Sequence, residues 1–195
     1  MKRSHFSAYD ITLGALFVAL MAVGANITAF MPFLQVMGVP VTLQTFFAIL
    51  AGLVLGSRLG FFSLLVYTTL GLIGAPIFAG FKGGGSILFS PTFGFIVSFI
   101  VLAYLVGKLA ESNRKLPMYI GAAFAGLIIN YFIGVNWFYF ALNFWIGGEG
   151  ISFTLAWSSM IPFLIKDTVL AVGAGFFAYR LEKSVLHRTQ LRQAA

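Results

Sequence analysis

Residues 41–79 read VTLQTFFAILAGLVLGSRLGFFSLLVYTTLGLIGAPIFA. This apolar stretch decides the fold. It is too long for one bilayer crossing, which takes about 20 residues. Ser57, Arg58 and Gly60 interrupt it near the middle. The reading is two spans, 41–57 and 59–79, joined by a very short turn. Similar runs lie on both sides, and the predicted spans in chain order are 11–31, 41–57, 59–79, 92–110, 118–142 and 159–181. Pro32, Gly38 and Pro40 close the first. A glycine-rich loop, "GFKGGGSILFSP", fills 80–91, a charged turn, "KLAESNRKLP", fills 108–117, and "IGGEGISFTLAW" at 146–157 makes a second long loop with room for a surface-lying piece.

Composition supports this reading. The 195 residues are 60% hydrophobic and 9% charged, with a mean hydropathy of +0.99. A soluble domain carries about a quarter charged residues, so this chain lacks the polar surface that water requires. The expected class is an all-α membrane protein with six transmembrane helices in one domain, 1–195. Its membrane core is 8–183, and 184–195 forms a tail. The basic N-terminus followed by an apolar run resembles a signal peptide. However, the run from Ile11 to Phe30 is long enough to span, and further spans follow.

Charge sets the expected orientation. With the N-terminus inside, the inner segments hold Lys2, Arg3, Arg58, Lys108, Arg114, Lys115, Arg180, Lys183, Arg188 and Arg192, and the outer loops hold only Lys82. Cytoplasmic loops carry such an excess, so both termini are expected in the cytoplasm and the chain in the cell membrane. The net charge of +7 follows from topology. The basic residues are spread over every inner turn and form no single face, which argues against a nucleic-acid partner.

Several chemistries lack their residues. Without cysteine there is no disulfide framework and no thiolate metal site. "KGGGS" at 82–86 is not a phosphate loop, so ATP hydrolysis by this chain is not expected. No HExxH motif occurs, and His5 and His187 lie in the tails. No cofactor, no metal and no catalytic residue is predicted.

Polar residues inside the spans are the candidate site. "FLIKDTVL" at 163–170 puts Lys166 and Asp167 side by side. A charge at mid-membrane costs about 2.5–3.5 kcal/mol. Helical neighbours point about 100° apart, so the two are not expected to face each other, and positions three and four away are apolar. Pro162 suits a first helical turn, which places Asp167 in the outward part of the span. Partners must then come from other segments, a watery cavity or a ligand. The alternative is that the pair snorkels outward or locks helices together.

Gln44, Asn130 and Tyr131, with Asn26, Thr42 and Asn136, are polar residues able to share the cavity or to bond helix to helix. Lys82 is a candidate for an anionic ligand group, and Gly83 and Gly84 would let the loop backbone approach a ligand. Trp137, Tyr139, Trp145 and Trp157 read as an interface belt. Small residues make two strips, Ala15/Ala19/Ala22 and Gly52/Gly56/Gly60, suited to close helix packing.

The stretch "GVPVTLQTFFAILAGLVLGSRLGFFSLLVYTTLGLIGAPIFAGFKGGG" followed by "SPTFGF" resembles the BioY family, the biotin-binding S components of energy-coupling factor (ECF) transporters. The resemblance covers about 15–180 and is densest over 38–95. It implies a six-helix fold and a vitamin pocket near the outer face. It also implies an ECF transmembrane coupling protein as partner, with two cytoplasmic ATPase subunits. Ala15 and Ala19 match the alanine strip that contacts the coupling protein. Asp167 matches the family's acidic residue on the last helix, where a carboxylate suits the N–H donors of a ureido ring. Ile96 and Leu170 stand where many relatives carry cations. These are departures from the family pattern, and the expectation is that the cationic function has moved to Lys82 and Lys166, with Lys166 either screening Asp167 or meeting the ligand's tail. Other readings are an S component for a different small heterocyclic acid such as a biotin precursor, an intramembrane enzyme, and an assembly subunit without ligand.

Overall fold

The computed structural model describes residues 6–29, 35–36, 39–147 and 150–186. Pro32 and Gly38, the basic residues Lys2, Arg3, Arg188 and Arg192, and both histidines lie outside the described residues. Among the described residues, five helices are long and apolar enough to cross a membrane.

Helix α1 (Ala8–Asn26) starts at a reciprocal cap. The Asp10 N–H donates to Ser7 Oγ, and the Ser7 N–H donates to Asp10 Oδ2 at 2.8 Å. Two first-turn donors are satisfied in this way. A 3-10 turn, Ile27–Ala29, follows. Two-residue strands, Gln35–Val36 and Val39–Pro40, pair antiparallel before the next helix.

Helix α2 (Gln44–Leu72) carries the predicted second and third spans and breaks at Gly56, with φ 80° and ψ 176°. The Gln44 side-chain amide donates to the Tyr67 hydroxyl at 3.0 Å. In a straight helix these residues would stand roughly 35 Å apart, so the two arms run back along each other. The break falls one residue before the predicted turn, which makes Gly56 the hinge and removes it from the small-residue strip. Gly52 and Gly60 keep the packing role: Gly52 faces Ala103 and Val106 of the next helix, and Gly60 faces the first arm at Ala51. The second arm ends at Leu72, seven residues short of the predicted boundary. Gly74 and Pro76 interrupt the helix there, and the apolar residues beyond belong to a folded loop.

The remaining helices are α3 (Phe93–Ser112), α4 (Leu116–Phe144), the short α5 (Phe153–Ser159) and α6 (Ile161–Leu181). Pro117 and Pro162 sit in the first turns of α4 and α6, where proline costs no hydrogen bond. Helix α5 is the surface piece expected in 146–157. Helix α3 packs between α2 and α4, and α6 packs on α4 and α2. Outward side chains such as Ile128, Phe132, Ile165 and Val169 are exposed and apolar, a surface that suits lipid.

At the Gly56 end, α3 closes the hinge. Glu111 Oε1 accepts from the Ser57 N–H at 2.7 Å and from Ser57 Oγ at 2.9 Å. A carboxylate thus caps the start of the second arm, where free N–H groups and the helix dipole favour negative charge. Nearby, Arg114 pairs with Glu182, tying the α3–α4 turn to the end of α6.

Candidate ligand-binding site

A cavity of about 490 Å³ lies at the opposite end of the helices, roughly 18 Å from Gly56 along the first arm of α2. Its volume falls in the usual range for small-ligand sites, roughly 300–1,000 Å³. Its walls come from the start of α2, the loop 73–92, α3, α4, α5 and the start of α6. Phe95, Ile96, Phe99, Phe138 and Phe163 are among its apolar lining, and Asp167 and Lys166 line it from α6.

Asp167 is 4% exposed, two turns into α6. Its carboxylate is held on one oxygen and underused on the other. Oδ2 accepts from Thr45 Oγ1 at 3.1 Å and from the Tyr131 hydroxyl at 2.9 Å. Oδ1 lies 2.7 Å from Lys166 Nζ but receives no aligned hydrogen bond. Lys166 Nζ instead donates to the Thr42 carbonyl. The expectation that Lys166 and Asp167 do not face each other is corrected here. Their Cβ atoms diverge, yet the flexible lysine stem brings its ammonium back to the neighbouring carboxylate. Beyond that ion pair Oδ1 has no hydrogen-bond partner, so it can still accept from a donor in the cavity.

Lys82 lines the cavity from the loop and is exposed. Its backbone is tightly placed. Lys82 and Phe78 exchange two backbone hydrogen bonds at 3.2 and 3.0 Å across a tight turn. The Phe81 N–H donates to Asn26 Oδ1 at 2.6 Å, and the Tyr67 hydroxyl donates to the Ile77 carbonyl at 3.1 Å. Phe78, buried beneath, meets Tyr67 edge-on. Among the described residues the Lys82 ammonium forms no ion pair.

Of the other sequence-predicted residues, Gln44 and Tyr131 line the cavity with Asp167, Lys166 and Lys82, whereas Gly83, Gly84 and Asn130 do not. Asn130 accepts from Ser98 Oγ at 2.6 Å and ties α4 to α3. The Gly84 N–H donates to the Gly71 carbonyl at 2.7 Å. A side chain on Gly83 would collide with the Ala75 carbonyl. These two glycines anchor the loop to the end of α2. Ala15 and Ala19 lie exposed on α1, on the side away from the cavity-forming helices.

Sequence reasoning missed Thr45, which bonds Asp167 across 122 residues of chain. The only signal was its spacing from Thr42 at the start of α2. Two indoles expected in the interface belt also hold the loop. Trp137 Nε1 donates to the Ser90 carbonyl and Trp145 Nε1 to the Phe89 carbonyl, both at 3.0 Å. Both therefore fasten the loop 85–90 to α4, a role beyond an interface belt.

Comparison with known proteins gives a consistent result. A model of the BioY family matches residues 1–187. BioYB of Bacillus subtilis (strain 168) is 43% identical over 188 residues, covering 95% of this chain and 93% of that protein. The "Biotin transporter BioY" of Thermotoga maritima is 36% identical over 173 residues, covering 89% of this chain and 95% of that protein. The crystal structure of an S-component for biotin from an ECF-type ABC transporter shares the fold, with a TM-score of 0.67 at 23% identity over 92% of this chain and 96% of that one. The chain belongs to the BioY family.

Proposed function

We propose that this protein captures biotin as the substrate-binding S component of an ECF-type transporter in the cell membrane. The observation that carries the reading is the Asp167 carboxylate, buried beside an apolar cavity with one oxygen clamped and the other lacking an aligned donor. Biotin is a cyclic urea fused to a sulfur ring with an acyl tail. One ureido N–H completes Oδ1 through a charge-assisted bond. Nζ of Lys166 and Oδ1 of Asp167 stand 2.7 Å apart, a donor beside an acceptor, which complements the C=O and N–H edge of a cyclic urea. Of the two roles expected for Lys166, this contact supports the one beside Asp167. The apolar rings of Phe95, Phe99 and Phe163 suit the fused sulfur ring. Relatives named as transporters are consistent with capture without turnover. Isothermal titration of the purified protein with biotin tests the reading: saturable one-to-one binding is expected, and the absence of binding sinks it.

The two arms of α2 make separate crossings in this proposal, so that six spans leave both termini in the cytoplasm and the cavity faces outward. The absence of native cysteine makes this testable by single-cysteine labelling in intact cells. Ser86→Cys in the loop reacts with an impermeant thiol reagent, whereas Ser112→Cys at the Glu111 end reacts only after permeabilisation. The reverse pattern would invert the topology. Ala15 and Ala19, exposed on α1, give a surface on which the helix of a membrane coupling protein can pack closely. Two cytoplasmic ATPase subunits complete the proposed complex.

A further inference from the structure

Resting on the biotin reading, we infer that the cavity reads the ring end of its ligand and leaves the acyl end almost unread, so that biotin with its carboxylate capped as an amide, including biotinyl-lysine, is also a ligand.

The inference follows from where the cations are. Binding a carboxylate tightly takes a desolvated cation or a cluster of donors. Lys166 is committed at the ring end, donating to the Thr42 carbonyl and lying 2.7 Å from Asp167 Oδ1. With Asp167 that end is electrically balanced. One ammonium cannot serve both ends of an extended ligand. The remaining basic side chain at the cavity is Lys82, which is exposed. Among the described residues, 41–43, 73–92, 137–147 and 150–162, which form or border this end of the molecule, hold no Lys, Arg or His except Lys82. No further cation can therefore be recruited from these segments. Phe138, Leu142, Ile151, Leu155 and Ser159 also line the cavity and give an acyl chain contact area but no charge. A carboxylate at the mouth keeps its water and meets Lys82 as a surface pair, an interaction that is weak and screened by salt.

Titration calorimetry of the full chain in detergent tests this with biotin, biotin carboxamide and biotinyl-lysine. Both amides are expected within about fivefold of biotin. Lys82→Ala is expected to weaken biotin by a similar small factor and to leave the carboxamide unchanged. Biotin bound but the carboxamide weakened by about thirtyfold or more would overturn the inference alone, because a desolvated cation must then read the tail. Biotin not bound at all would overturn the proposed function, and this inference with it.

Discussion

Asp167→Asn lowers biotin affinity between about tenfold and a hundredfold. A hydrogen bond to a charged group contributes about 1.5–3 kcal/mol, and 1.4 kcal/mol is a factor of ten. The substitution keeps the shape, so Thr45 and Tyr131 still surround the side chain. What it removes is the negative charge facing the ureido N–H. It also strips the Lys166 ammonium of its counterion in a side chain only 24% exposed, which adds a second penalty to the occupied cavity. The loss should appear in the dissociation constant, and the ligand-free melting temperature should fall as well, because the Lys166–Asp167 pair is present without ligand and removing one member of a buried pair destabilises the fold. Equal affinity in the two proteins would mean that the carboxylate serves helix packing alone.

Gly56→Ala lowers the thermal midpoint by roughly 2–12 °C and leaves biotin affinity close to the parent's. With φ 80° and ψ 176°, Gly56 occupies a region reserved for glycine, and forcing a side chain there costs about 1–3 kcal/mol. For a chain of this length each kcal/mol shifts the midpoint by roughly 2–4 °C. A Cβ at this position would also press on Glu111 Oε1, the atom that caps the second arm through Ser57. Gly173→Ala in α6 is the control, because open space surrounds that position and alanine favours helix. Its midpoint should hold or rise slightly. Equal behaviour of the two variants would show that the break tolerates a side chain, and the hairpin account of α2 would fail.

Hydropathy made the helices legible because a bilayer demands long apolar segments. It failed where apolar residues serve a loop. The run through Ala79 reads as span, yet Phe78 packs as the roof of the cavity beside Tyr67, and hydropathy does not distinguish a side chain facing lipid from one facing a cavity. The α2 break was legible to within one residue because Ser, Arg and Gly cluster there. Gly56 itself was hidden, since glycine four residues from glycine also reads as packing. Asp167 and Lys166 were conspicuous because charge in lipid is costly. Their mutual contact was not, because spacing rules describe Cβ directions and say little about the tip of a four-carbon stem. Asn130 and Thr45 show the same difficulty from both sides. Each is one polar residue on a helix, and only the tertiary fold decides that Asn130 meets Ser98 while Thr45 meets Asp167.

The central claim is that Asp167 accepts a ureido N–H, and a cycle between protein and ligand tests it most directly. Biotin and its two mono-N-methyl ureido analogues are titrated against the parent protein and Asp167→Asn. If the carboxylate reads that donor, one analogue loses affinity for the parent, and for that analogue the Asp167→Asn penalty nearly disappears, giving a coupling well above the few tenths of a kcal/mol expected of independent sites. Additive losses for both analogues would contradict the account.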